Sequence, residues 1–331
     1  MNFSRLMFMD NQSQSLRELF ARLWPAERVV ATTRQLLNAG LETRTIAAGV
    51  RLGVIHRLRR GVYIPMHRWQ GSKPWEQDKL VLAGHIAASD GRLVYSHFSA
   101  ARLHRLDVWN SSRLIHAGAP YRPSHSNAAA EVVLHALDLG PDEVVQRMIP
   151  GVGLARFTNL QRTVLECAKT APFAQAVVIG DSALHAGLDP LELDVALDRL
   201  RGSRGIGRAR KAIRAMNGLS ESVGETRTRL IVAELSIDQP ELQVKLYPGG
   251  KEYRADFVWR GIKLILEFDG NTKYFDFGPT EEALVDERER ENALIEDGWR
   301  IIRVKWKDLN SPEMLKARIM KAYLAAEQAA A

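Results

Sequence analysis

The sequence has one cysteine, Cys167, in 331 residues. A lone thiol closes no disulfide within its own chain and supplies no cysteine-based zinc site, so both scaffolds are excluded. A one-cysteine chain fits a reducing cytoplasm, which is the expected location. Long apolar runs are also missing. None reaches the roughly 18 residues that a bilayer-spanning helix needs, so no membrane partner is expected. The first ten residues hold an acidic side chain, Asp10, and no sustained apolar stretch, and they do not read as a secretory leader. Hydrophobic residues at 46% and charged residues at 26% exclude a disordered or collagen-like chain. The length suggests two or three domains.

What the chain has in excess is positive charge, 46 Lys and Arg against 39 Asp and Glu, for a net +7. The distribution is uneven. Between Arg28 and Lys73 there are nine basic residues and one acid, Glu42, a local +8 that exceeds the charge of the whole chain. Arg199, Arg201, Arg204, Arg208, Arg210, Lys211 and Arg214 form a second acid-free cluster. Such patches attract phosphate, although an isolated cluster is as often a solvated face.

Residues 1–27 read as a polar extension ending in a helical stretch, 15–23. Thr32 or Thr33 caps a short helix that stops at Gly40, and Thr43 caps another that stops at Gly53. In the second, Ile46, Ala47 and Val50 are expected to face the core, with Arg44, Ala48 and Arg51 opposite. Segments 54–58 and 62–64 then read as two strands around a basic tip, Arg59-Arg60-Gly61. Helix, turn, helix and a two-stranded wing is the order of a winged helix-turn-helix. In that geometry the second helix enters the major groove and the wing lies over phosphate. Arg44 and Arg51 are thus candidate groove contacts, and Arg57, Arg59 and Arg60 candidate wing contacts.

The region 74–217 mixes helical segments (80–88, 99–106, 174–184) with strand-like ones (92–95, 114–117, 131–136). Thr158 has capping-box spacing to Gln161. His97, His104, His116 and His135 invite a metal reading, but no pair is spaced like helical ligands with a partnering carboxylate. They read as ordinary core or surface histidines. The glycines of 202–207 lack dinucleotide-fingerprint spacing, so no dinucleotide is expected.

Residues 218–331 carry the chemistry. Ser222 to Glu225 opens a helix, and a strand over 253–259 and another over 262–269 flank the turn Arg260-Gly261. With a two-residue hairpin, Trp259 pairs with Ile262 and Asp256 lies opposite Ile265. Alternation then sets Asp256, Glu267 and Asp269 on one face, and Phe257, Trp259, Leu264, Leu266 and Phe268 on the other. Carboxylates converging in an apolar hairpin repel one another, and a hard cation, Mg2+ or Mn2+, relieves the conflict. Lys273 follows closely enough to stabilise a pentavalent phosphate. The chemistry expected is metal-assisted phosphodiester hydrolysis. Each residue also has a structural reading: Glu225 as the second half of a capping box, Asp269-Gly270 as a turn, and Asp256 and Glu267 as exposed sheet residues. Downstream come a helix from Thr280 to Asp297 carrying Asp286, Arg288 and Arg290, a strand over 299–306, and a helix from Pro312.

The run Glu225…Arg229…Asp256…Glu267-Phe-Asp-Gly270…Lys273…Arg290…Leu294…Trp299-Arg-Ile-Ile-Arg303 resembles the Vsr-like, PD-(D/E)XK endonuclease-related domains. The resemblance implies a restriction-endonuclease-like fold and a divalent metal held by Asp256 and Glu267. It makes Glu225 the acidic residue of the first helix, with Lys273 catalytic and Arg229 and Arg290 on DNA. Asp269 stands where the motif has lysine. Residues 32–65 are similar to the winged helix of AbiEi-family antitoxins, and 96–101 with 157–163 to the part that accompanies it, which implies a cognate toxin as a partner besides DNA.

The expected architecture is therefore α+β and multidomain. It comprises an extension (1–27), a winged helix (28–73), an α/β middle domain (74–217) and a restriction-endonuclease-like α/β domain with a mixed sheet (218–331). The function expected is a DNA-binding endonuclease, with a non-catalytic antitoxin-like regulator as the alternative.

Overall fold

A computed structural model describes residues 3–119, 131–270 and 281–330, with side chains described from residue 12 and, in the last segment, from residue 288. The fold is α+β with three sheets, in two compact units. The first comprises residues 1–105 and 111–163, the second 106–110 and 164–331. This division differs from the expected one, because the middle segment 74–217 is shared between the units. Among the described residues no helix is long and apolar enough to cross a membrane.

The first unit opens with α1 (Phe3–Leu23), β1 (Ala31–Thr32), α2 (Thr33–Asn38), α3 (Thr43–Arg51), β2 (Ile55–Arg59) and β3 (Val62–Pro65). Thr32 caps α2 in a capping box with Gln35, and Gly40 follows the helix at φ +93°, a conformation that glycine adopts without strain. The cap of α3 is Glu42 rather than Thr43. Its inward face is Ile46, Gly49 and Val50, whereas Ala47 is exposed, a correction to the expected face. The reason is Phe20 of α1. Its ring sits against Gly49, where a Cβ would lie 2.6 Å from Cε2, so the missing side chain sets the rotation of the helix. Strands β1, β3 and β2 pair antiparallel, with Gly61 at the hairpin tip at φ +79°.

The unit continues through α4 (Met66–Gln70), α5 (Pro74–Ser89), β4 (Val94–Tyr95), α6 (His97–Leu103), β5 (Ile115–Ala119), β6 (Val132–Ala136), β7 (Val144–Ile149) and β8 (Gly153–Thr158) into α7 (Leu160–Thr170). The last five strands form a mixed sheet in the order β6-β5-β4-β8-β7. Asn159, not Thr158, caps α7, accepting from the Arg162 amide at 2.8 Å, while the Thr158 hydroxyl pairs with Thr163 at 2.7 Å. One core runs from the small sheet to the large one through Val62, Ile64, Leu82, Ile86, Tyr95 and Phe157. Within it the Tyr95 hydroxyl bonds His85 Nδ1 (2.9 Å) and Ser89 Oγ (3.0 Å).

The second unit contains α8 (Phe173–His185), α9 (Pro190–Arg199), α10 (Ile206–Arg214) and α11 (Val223–Val232). These are followed by β9 (Glu241–Leu246), β10 (Tyr253–Trp259), β11 (Leu264–Asp269), α12 (Glu281–Glu296), β12 (Arg300–Lys305) and α13 (Pro312–Ala330). The segment 106–110 joins it because Trp109 lies 4.1 Å under the Arg227 guanidinium and the Asp107 amide donates to Ser182 Oγ at 3.0 Å. The sheet order is β12-β11-β10-β9, antiparallel except for the parallel pair β11–β12. One face packs Phe257, Trp259, Leu264 and Leu266 against Val232 of α11 and Ile319 and Tyr323 of α13. The other packs Tyr253, Ala255, Val258 and Ile265 against Leu294 of α12. A helix–three-strand–helix–strand chain thus has both faces of its sheet covered, which is why the start of β11, Leu264-Ile265-Leu266, is a continuous apolar run.

The β10–β11 connection corrects the two-residue hairpin. Trp259 pairs with Leu264 and Val258 with Ile265, across a 3-10 turn at Arg260–Ile262 followed by Lys263 at φ +47°. The pairing slips by two positions, which by itself preserves the faces. Alternation breaks elsewhere, between Ala255 and Phe257. Ala255 and Val258 lie in one cluster and Phe257 and Trp259 in the other. Across the strand pair, Gln243 of β9 sits between the residues facing Ala255 and Phe257, at φ +51°. A non-glycine residue in that region costs about 1–2 kcal/mol.

Candidate functional site

The break in β10 is where the acidic residues gather. Asp256, expected opposite Ile265, instead turns its carboxylate into the gap where β10 and β11 part, and Oδ2 accepts from the Phe268 amide at 2.9 Å. That contact sets Asp256 beside the peptide joining Glu267 to Phe268. Gln243 Nε2 donates to Asp256 Oδ1 at 3.2 Å and to Glu225 Oε2 at 3.0 Å, so a single amide spans two carboxylates. Gln243 Oε1 is buried without a hydrogen-bond partner among the described residues.

Glu225 closes its helix start, the structural role anticipated for it. Ser222 Oγ accepts from its amide at 3.1 Å, and its own carboxylate accepts from the Glu221 amide at 2.9 Å, which closes the helix start. The same carboxylate reaches Gln243. Its helix is locked onto β11 because Gly224 leaves room for the Phe268 ring, which occupies the space a Cβ would take. Burial pushes the carboxyls of Glu225 and Asp256 above their ordinary range, and for Glu225 the charge of Asp256 pushes further in the same direction.

Glu267 accepts from the Tyr253 hydroxyl. Glu225, Asp256 and Glu267 do not form a set with one oxygen each within 4.8 Å, so the expected convergence of carboxylates is narrower than anticipated: Glu225 and Asp256 share an amide, and the peptide that follows Glu267 meets Asp256. Asp269 faces Lys305 of β12, whose Nζ is 4.0 Å away. Lys273 and Thr280 lie outside the described residues, as does the side chain of Asp286. Gln243 and Lys305 are the site residues that the sequence reading missed. Lys305 belongs to a strand that pairs in parallel from far along the chain. The apolar alternation Leu242, Val244, Leu246 was the signal for Gln243's strand.

The expected DNA contacts fall into two groups. Arg44, Arg51, Arg57 and Arg60 are exposed, with Arg44 paired to Glu42. Arg59 is half-buried and turned inward. Its charge, after burial, helps hold His85 down at about 4. Arg229 is a correction. Its guanidinium is bound to buried Asp181 at 2.6 Å and to Ser220 Oγ at 3.3 Å, because Asp181 needs a counter-charge in the core of the second unit. Arg290 is half-buried on α12. Around α10, Arg208, Lys211 and Arg214 are exposed, with Lys211 5.1 Å over the Phe173 ring.

The chain is an α+β protein with an acidic cluster at a strand break in its second unit. It is 30% identical over 208 residues to two Mycobacterium tuberculosis proteins, Rv2248 of strain H37Rv and MT2308 of strain CDC 1551, both described as uncharacterized; the match covers 57% of this chain and 73% of theirs. The chain belongs to the family of these mycobacterial proteins. No protein-family model matches it. Among solved structures, the crystal structure of the RV2827C protein from Mycobacterium tuberculosis has a TM-score of 0.40 at 16% identity, covering 71% of this chain and 88% of that one.

Proposed function

We propose that this is a DNA-binding protein whose second unit carries a Mg2+- or Mn2+-dependent phosphodiesterase site of the PD-(D/E)XK kind. The observation that carries the reading is the pair Glu225 and Asp256 sharing the Gln243 amide at the strand break, with Glu267 adjoining. Burial pushes both half-buried carboxyls toward protonation, Asp256 pushes Glu225 further, and a hard dication between such a carboxylate and a substrate phosphate would offset that cost. The residues fit such an ion. The carboxylates offer oxygen donors, and a flip of the Gln243 amide, whose Nε2 now faces them, would add Oε1. Asp256 and Glu267 would hold it. When bound, it would polarise a phosphoryl oxygen and acidify a water.

The chain's own residues do the rest. Gln243 holds the two carboxylates in register, Tyr253 orients Glu267, and Lys305 supplies positive charge at the rim beside Asp269. Lys273 is retained as the proposed stabiliser of the transition-state phosphate. In the first unit, α2, α3 and the β2–β3 hairpin form the winged helix of this reading, with Arg44, Arg51, Arg57 and Arg60 as the phosphate-contacting set. A cognate toxin is the further partner that the antitoxin-like resemblance brings.

A second reading, a non-catalytic antitoxin-like regulator, is favoured by two observations. Gln243 already offsets part of the carboxylate repulsion, and Asp269 occupies the motif's lysine position. Plasmid nicking separates the two. The enzyme reading expects Mg2+-dependent nicking that Asp256→Asn and Glu267→Gln each abolish. Absent or metal-independent cleavage by a folded, DNA-binding chain supports the regulator. For the winged helix, replacing Arg44, Arg51 and Arg60 together by Gln should flatten the dependence of log K on log salt by roughly 2.7, at about 0.9 per phosphate neutralised. An unchanged slope removes the assignment.

A further inference from the structure

Three histidines that lie far apart in sequence meet in the first unit. His97 opens α6, His116 is in β5 and His135 in β6. In the parallel β5–β6 pair, His116 faces Val133 and Gly118 faces His135, so the two imidazoles are diagonal neighbours on one face. His116 Nδ1 is 2.9 Å from His135 Nε2. The His97 ring lies on that of His135, with centroids 3.6 Å apart and planes 18° apart. One ring nitrogen from each histidine lies within 4.8 Å of the other two, and among the described residues no other three Cys, His, Asp or Glu side chains do so.

Core packing does not account for this cluster. His116 Nδ1 and His135 Nε2 face each other with a single proton between them, whereas an ion placed there would bond the lone pairs of both. His97 has φ +49°, an unfavourable conformation for a β-substituted residue. Ser96 Oγ lies 3.0 Å from its Nδ1, a contact of the kind that orients a ligating ring so that Nε2 serves the metal.

We propose that His97, His116 and His135 form a binding site for a divalent transition ion of the zinc class, with a fourth position open to water or a small anion. Three imidazoles and no carboxylate select such an ion over Mg2+ or Ca2+, so the site is chemically distinct from the acidic cluster of the second unit. Tetrahedral ligation at about 2.0–2.1 Å separates ligand nitrogens by roughly 3.4 Å. To admit the ion the 2.9 Å His116–His135 contact opens, and the His97 ring turns out of its stack on His135 so that its in-plane lone pair meets the same point. Arg102, the nearby cation, is matched by Asp78 at 3.7 Å. His116 and His135 are half-buried, which leaves an approach for the ion.

The test uses the full chain, stripped with chelator and titrated separately with Zn2+ and Co2+. One tight equivalent per chain is expected by calorimetry, together with the visible absorption of tetrahedral Co2+. His116→Gln and His135→Gln should each lose it, whereas Asp256→Asn and Glu267→Gln should keep it. Circular dichroism establishes that the variants fold. On the wild type, Zn2+ should protect all three histidines from diethylpyrocarbonate as read by mass spectrometry, a measurement that needs no variant. The proposal is overturned if wild type takes up no more ion than the His116→Gln/His135→Gln double variant, if Asp256→Asn rather than the double variant loses the equivalent, or if Zn2+ protects none of the three.

Discussion

Replacing Arg229 by Met tests whether its charge serves the core or DNA. Asp181 is 1% exposed and accepts from Arg229 at 2.6 Å, from the Asn217 amide at 2.7 Å and from Thr226 Oγ1 at 2.8 Å. Breaking a buried pair from one side costs about 3–5 kcal/mol, because a charge remains without its partner. Two hydrogen bonds survive here, so the lower end applies, about 3 kcal/mol. For a unit of this size that is roughly a 6–12 °C fall in Tm, read by calorimetry on the full chain. Burial already holds the Asp181 carboxyl above its ordinary range despite Arg229, and losing the guanidinium raises it further. A raised carboxyl binds its proton in the folded state at a pH where the unfolded chain has released it, so stability falls as pH rises through the folded value. The deficit of Arg229→Met should therefore be largest at neutral pH and shrink on acidification towards the unfolded carboxylate range. Asp181→Asn/Arg229→Met should recover most of the loss. An unchanged Tm combined with a salt dependence of DNA binding flatter by about 0.9 would return Arg229 to the DNA contacts and refute the core assignment.

Two substitutions probe the acidic cluster's supports. Gly224→Ala gains about 1 kcal/mol of helix propensity but drives a Cβ into the Phe268 ring, which is backed edge-on by Trp306 at 5.1 Å. Overpacking costs about 1–3 kcal/mol, so a net loss of Tm is expected, and a rise would mean that the ring is not held. At Gln243 both Gly and Ala remove the bridging amide, but only Gly is at ease at φ +51°. Gln243→Gly should thus be more stable than Gln243→Ala by about 1 kcal/mol in thermal denaturation. Both should move the acid limb of any Mg2+-dependent nicking to higher pH, since the amide's hydrogen bond lowers the Asp256 pKa. Equal stability of the two variants would deny the backbone strain.

Local rules read correctly where local forces decide. A threonine cap for α2, the glycine stops of α2 and α3 and the apolar face shared by Phe257, Trp259, Leu264 and Leu266 all follow from neighbours within a few residues. They failed where a distant segment sets the geometry. The hairpin turn is longer than Arg260-Gly261 suggested because Lys263 is tied by its carbonyl to the Arg300 amide at 2.9 Å, the first bond of the parallel β12 pairing. No turn dipeptide encodes that bond. The histidines looked unrelated because ligand spacing rules describe one helix, whereas here a parallel register brings His116 to His135. The two candidate centres share a feature that propensity argues against. Gln243 and His97 are both non-glycine residues held at positive φ, and each lies within hydrogen-bonding or stacking contact of the titratable groups of its cluster. Backbone strain of this kind persists only where surrounding packing over-determines it. The residues hardest to read from sequence are therefore the ones that hold the proposed ligands in place.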